Sequence, residues 1–105
     1  MEVTTLDRLI DALEPAGRIG IKLDTEGHEL EALKGLTRHL DRIDFIACEV
    51  SVLDRFAGGY RFAELIARLD AMGFRFYAIM STPHPEQPLR YYDCLFLPAD
   101  APEFR

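Results

Sequence analysis

The sequence has no tryptophan, two cysteines and three histidines among its 105 residues. Cys48 and Cys94 both sit inside apolar runs, which suits buried reduced thiols better than a disulfide framework. Basic residues are scarce, since 12 lysines and arginines face 18 aspartates and glutamates for a net charge of −6. They form no cluster. A sequence-independent grip on phosphates needs a basic face, so nucleic acid is excluded as a partner. A basic amphipathic membrane helix is excluded for the same reason. No apolar run approaches the roughly 20 residues that cross a bilayer. The opening MEVTTLDRL is acidic and polar rather than a secretory leader. The expected compartment is the cytoplasm, with no membrane contact. Repeats, low-complexity stretches and linkers are also missing, so residues 1–105 read as one small domain or part of one, with a core that has little to spare.

Periodicity supplies the elements. Leu6, Leu9, Ile10 and Leu13 fall on one helical face within residues 4–14, with Thr4 and Asp7 spaced like a capping box and Pro15 and Gly17 ending the helix. Residues 18–24 alternate as a strand, with Ile19, Ile21 and Leu23 on one face and Gly20, Lys22 and Asp24 on the other. A helix is expected over about 26–39, with its glutamates early, Lys34 and Arg38 late, and Leu30, Leu33 and Leu40 inward. Residues 43–50 are almost continuously apolar, as in a strand covered by helices on both faces. A helix over 61–72 turns Phe62, Leu65, Ile66, Leu69 and Met72 inward, and Gly73 caps it. Strands follow at 74–80 and 91–97, separated by a loop holding Pro83, Pro85 and Pro88. The order α-β-α-β-α-β-β implies an α/β sheet, mostly parallel, with a final antiparallel strand. Tyr91, Tyr92 and the phenylalanines read as core, and His39 and His84 as solvent-facing.

The chemistry concentrates in Lys22-Leu23-Asp24-Thr25-Glu26-Gly27-His28-Glu29. Asp24 and Glu26 stand at the carboxyl end of a strand, where open α/β sheets bind ligands. Gly27 lets the backbone bend or approach a ligand closely. A carboxylate there can take a proton from a substrate hydroxyl, hold an ammonium group or ligate a metal. It can equally do no more than cap the following helix. A metal site at Asp24, Glu26 and His28 lacks a distant partner. Cys48 has no histidine–acid partner and reads as core.

Taken in order, Thr5-Leu6-Asp7, then Lys22, Asp24, Glu26, Gly27 and Glu29, then Leu33-Lys34-Gly35, then an apolar strand ending at Glu49 resemble the FkbM methyltransferase family. The resemblance covers essentially the whole chain and is most specific over residues 4–50. It implies the C-terminal half of a class I, Rossmann-like methyltransferase sheet. It implies methyl transfer from S-adenosylmethionine to the hydroxyl of a sugar or other small-molecule acceptor. Asp24 and Glu26 would be the catalytic carboxylates, with Glu49 and His28 beside the substrate. If the strands order as in class I methyltransferases, Cys48 and Cys94 lie on adjacent strands without being bonded.

The sequence departs from that family in one respect. The glycine-rich loop after a first strand, and the acidic residue after a second, are absent. Gly58-Gly59 follows a strand and opens a helix, a minor candidate for anion binding. The expectation is therefore a partial domain, inactive alone, with no cofactor-binding residues of its own. The alternative is a small α/β module that pairs with a second copy or a complementing chain through the exposed edge at 18–24.

Overall fold

A computed structural model describes residues 4–25, 27–51, 60–80 and 91–105. In chain order these form α1 (Leu6–Leu13), β1 (Ile19–Leu23), α2 (Glu29–Lys34), a 3-10 turn (Leu40–Arg42), β2 (Ile43–Ser51), α3 (Phe62–Ala71), β3 (Phe74–Ile79), β4 (Tyr91–Pro98) and a closing 3-10 turn (Pro102–Phe104). The strands make one sheet in the order β1-β2-β4-β3. β1 runs parallel to β2, and β4 runs antiparallel to both β2 and β3. Three strands therefore share a direction and one reversed strand lies between two of them. The expected 81–90 loop lies outside the described residues.

The register aligns the core. Ile21 and Leu23 face Ile46 and Cys48, which in turn face Phe96 and Cys94. These six side chains share one sheet face and are buried in a cluster with Leu30 and Leu33 of α2 and Leu65 and Leu69 of α3. Burying a leucine of this kind contributes roughly 1.5–3 kcal/mol, so four of them fix both helices against the sheet. The outer face differs from the sequence expectation. Half-buried Leu95 and Leu97 there line an open groove with Phe45, which is 39% exposed, and no helix among the described residues lines it. The apolar run in β2 reads as covered on both faces because Phe45 lies over Gly20, where a Cβ would come within 2.3 Å of its ring. Phe62 and Phe76 are likewise exposed, whereas Phe74 and Phe96 are core.

α2 is much shorter than the 26–39 expected from its sequence. The cause is Asp7. Its carboxylate accepts the amides of Thr37 (3.0 Å) and Arg38 (3.1 Å) and the Thr37 hydroxyl (2.7 Å), while its own amide donates to the Gly35 carbonyl (2.9 Å). The chain leaves α2 at Gly35 because those donors are taken by α1 rather than by the preceding turn. Leu36 then drops into the core, fully buried, and Leu40 sits in the 3-10 turn instead of on α2. Asp7 accordingly does not complete a capping box with Thr4. Thr5 is the N-cap of α1 and accepts the Arg8 amide at 3.1 Å. A Cβ on Gly35 would stand 3.0 Å from that of Thr5, so glycine permits this close approach. His39, expected in solvent, is partly buried and stands 2.9 Å from an Asp11 carboxylate oxygen.

At the other end, Gly73 caps α3 as expected, at φ +90° with its amide on the Asp70 carbonyl. Glu64 accepts the Arg61 amide at the helix start.

Candidate active site

β1 and β2 are parallel neighbours, but β1 ends at Leu23 whereas β2 runs on to Ser51. Leu23 pairs with Cys48, Asp24 follows Leu23, and Glu49 follows Cys48. The two carboxylates thus stand one residue beyond the same register pair, Asp24 past the end of β1 and Glu49 inside β2 rather than at the strand end expected from the sequence. Asp24 is exposed and Glu49 is half-buried. Glu49 also faces Asp93 across the antiparallel β2–β4 pair. Glu26 lies outside the described residues. His28 takes a separate position. It is exposed, occupies the N-cap of α2 without a side-chain cap bond, and lines a small polar recess with Gly27, Glu31, Lys34, Tyr60 and Glu64. Asp24 does not line that recess.

The residue that organises this region was read from sequence as part of the helix-dipole pattern and of the family motif, without a site role. Glu29 is fully buried. One of its carboxylate oxygens accepts the Thr25 amide at 3.0 Å and the Thr25 hydroxyl at 2.5 Å. The Gly27 amide lies 3.3 Å from both oxygens, with Gly27 at φ +101°. A side chain at that φ is strained, so glycine is what allows the turn to aim its N–H inward. The Tyr60 hydroxyl donates to the other oxygen at 2.9 Å. A buried carboxyl costs several kcal/mol unless its lone pairs are filled, and here four donors fill them.

Tyr60 was also missed. It is buried, and its hydroxyl accepts the Ser51 amide at 3.1 Å and stands 3.2 Å from the Glu49 carbonyl oxygen. Burial pushes its phenol up to about 12, against the opposing effect of the Ser51 amide. The available signal was local. Glu29 lies one turn before Leu33, on the buried side of α2. Ser51 carries the other unusual feature, a buried hydroxyl with no hydrogen-bond partner among the described residues.

Among the described residues no group of three acidic, histidine or cysteine side chains could hold a metal. The turn after β1 does not fit an S-adenosylmethionine cradle either. The strand-to-helix turn after β1 has its Thr25 and Gly27 amides committed to Glu29. Gly58-Gly59 lies outside the described residues. Cys48 and Cys94 face each other across β2 and β4, and both are free and buried. Burial raises the thiols to about 12 and about 11, which fits core residues and not nucleophiles. None of the described helices is long and apolar enough to cross a membrane.

Residues 1–76 match the methyltransferase FkbM domain. A 44-residue stretch is 41% identical to the hexuronic acid methyltransferase AglP of Haloferax volcanii, covering 42% of this chain and 18% of that protein. No solved structure matches the chain. With most of its length matched, this chain belongs to the FkbM methyltransferase family.

Proposed function

We propose that this chain forms the acceptor side of an S-adenosylmethionine-dependent O-methyltransferase acting on a sugar or small-metabolite hydroxyl. The observation that carries the reading is that Asp24 and Glu49 stand one residue beyond the same register pair of adjacent parallel strands in an FkbM domain. The same-direction β1, β2 and β3 with reversed β4 between β2 and β3 support the C-terminal half of a class I methyltransferase sheet. A hexuronic acid methyltransferase among the relatives supports a sugar acceptor.

In this reading Asp24 or Glu26 accepts the proton of the reacting hydroxyl, and Glu49 and His28 hold other polar groups of the acceptor. The committed amides of the β1–α2 turn support a donor site built from residues outside this segment. Catalysis then depends mainly on holding the acceptor oxygen in line. The test is transfer of labelled methyl from S-adenosylmethionine to a panel of hexuronic acids and neutral sugars by the protein carrying this domain. Label in a hydroxyl ether is expected. Cofactor binding with no label in any hydroxyl acceptor would contradict the reading. Calorimetric titration of the folded chain with S-adenosylmethionine is expected to give no heat, and micromolar binding would overturn the separate donor site.

Among the described residues β1 stands at the sheet edge, which favours a second reading. An unpaired strand edge invites another chain, either a second copy or a complementing segment. A mass measurement at two concentrations distinguishes it, since edge pairing makes the apparent mass rise with concentration.

A further inference from the structure

The geometry points to Glu29 and Tyr60 as a positioning pair for this site, a role that rests on the methyl-transfer reading above. Glu29 holds Thr25 and Gly27, the residues that flank Glu26, and Thr25 directly follows Asp24. Tyr60 holds the end of β2 through the Ser51 amide and lies against the Glu49 carbonyl. The 2.9 Å bond between the two joins the β1 loop to the β2 end. The spacing between Asp24 and Glu49 is therefore set by one carboxylate and one phenol, both buried.

The hydrogen-bond pattern also says which substitutions the pair tolerates. Every group aimed at Glu29 is a donor. In Glu29→Gln the amide oxygen can take the place of the oxygen that holds Thr25. The amide nitrogen then donates to Tyr60, whose own proton turns to the Glu49 carbonyl 3.2 Å away. The network survives although the charge is gone. In Glu29→Ala both loop amides and the Thr25 hydroxyl lose their acceptor, and Tyr60 loses its link to the loop. In Tyr60→Phe the Ser51 amide loses its partner and the link to β2 is cut.

The test compares these three variants of the protein carrying this domain by amide hydrogen exchange and by methyl-transfer kinetics for acceptor and S-adenosylmethionine separately. In Glu29→Ala, exchange at Thr25 and Gly27 is expected to quicken. Acceptor kcat/KM should fall about a hundredfold, the cost of a misplacement of about 1 Å, with KM for S-adenosylmethionine unchanged. Glu29→Gln should restore both exchange and acceptor kinetics. Tyr60→Phe should speed exchange at Ser51 and reduce acceptor kcat/KM. A Glu29→Gln variant as inactive as Glu29→Ala overturns the proposal, because the charge itself would then act in the reaction. Unchanged exchange at Thr25 and Gly27 in Glu29→Ala also overturns it. A wild-type protein that transfers no methyl group, with loop exchange still set by residue 29, refutes the reaction and leaves the pair's hold on the loop standing.

Discussion

Asp7→Ala separates the two helices that Asp7 ties together. The carboxylate accepts three hydrogen bonds from Thr37 and Arg38, all within 3.1 Å. Thr37 and Arg38 are exposed, so water replaces part of what is lost. At about 1 kcal/mol for each bond the loss is about 3 kcal/mol. In a domain of this size that lowers Tm by roughly 12 °C or more. Burial acts to raise the Asp7 carboxyl, but the Thr37 and Arg38 hydrogen bonds outweigh it and hold the group below its ordinary value. Its contribution is therefore complete above the unfolded pKa, near 4, and is lost as pH falls through the lower folded value. Urea unfolding at pH 7 and at pH 3 measures both effects. The wild type should exceed Asp7→Ala by about 3 kcal/mol at pH 7, with the gap narrowing at pH 3. A gap under about 0.5 kcal/mol at pH 7, the size of an ordinary surface substitution, would refute the reasoning.

Other outcomes follow from the same geometry. Leu33→Ala removes a fully buried side chain between α2 and the sheet and should cost about 2–5 kcal/mol in urea unfolding, whereas exposed Leu13→Ala should cost much less. Gly73→Ala places a side chain at φ +90° and should cost about 1 kcal/mol in the same assay, even though nothing lies within 4 Å of the added Cβ. Cys48 and Cys94, buried and with raised pKa, should resist a thiol reagent at pH 8 in the native protein and react once it is unfolded; rapid labelling of native protein would contradict their placement.

Periodicity made much of the fold legible. The inward face of β1, Leu65 and Leu69 of α3 and the Gly73 cap are local patterns, whereas Phe62, expected inward, is exposed; the placement of Cys48 and Cys94 on adjacent strands followed from the resemblance. The end of α2 was not legible, because it depends on a carboxylate thirty residues away competing for the Thr37 and Arg38 amides. Nor was the open outer face of β2. An apolar residue that covers a neighbouring glycine looks, in sequence, like one covered by a helix. Asp24 was singled out because strand ends are chemically informative positions. Glu29 was read as a helix-dipole charge and a motif residue, but its burial was not foreseen because a glutamate in a first turn ordinarily faces water. Its burial follows from Tyr60, a contact between distant segments.

The most direct test of the acceptor site is a kinetic comparison of Asp24→Asn, Glu26→Gln and Glu49→Gln in the labelled methyl-transfer assay, with acceptor and S-adenosylmethionine varied separately. The account predicts that Asp24→Asn or Glu26→Gln lowers kcat by about 100-fold or more, the scale of a general base, and that Glu49→Gln raises the acceptor KM. KM for S-adenosylmethionine should stay at its wild-type value in all three. Wild-type kcat and acceptor KM in all three variants would contradict an acceptor site at Asp24, Glu26 and Glu49.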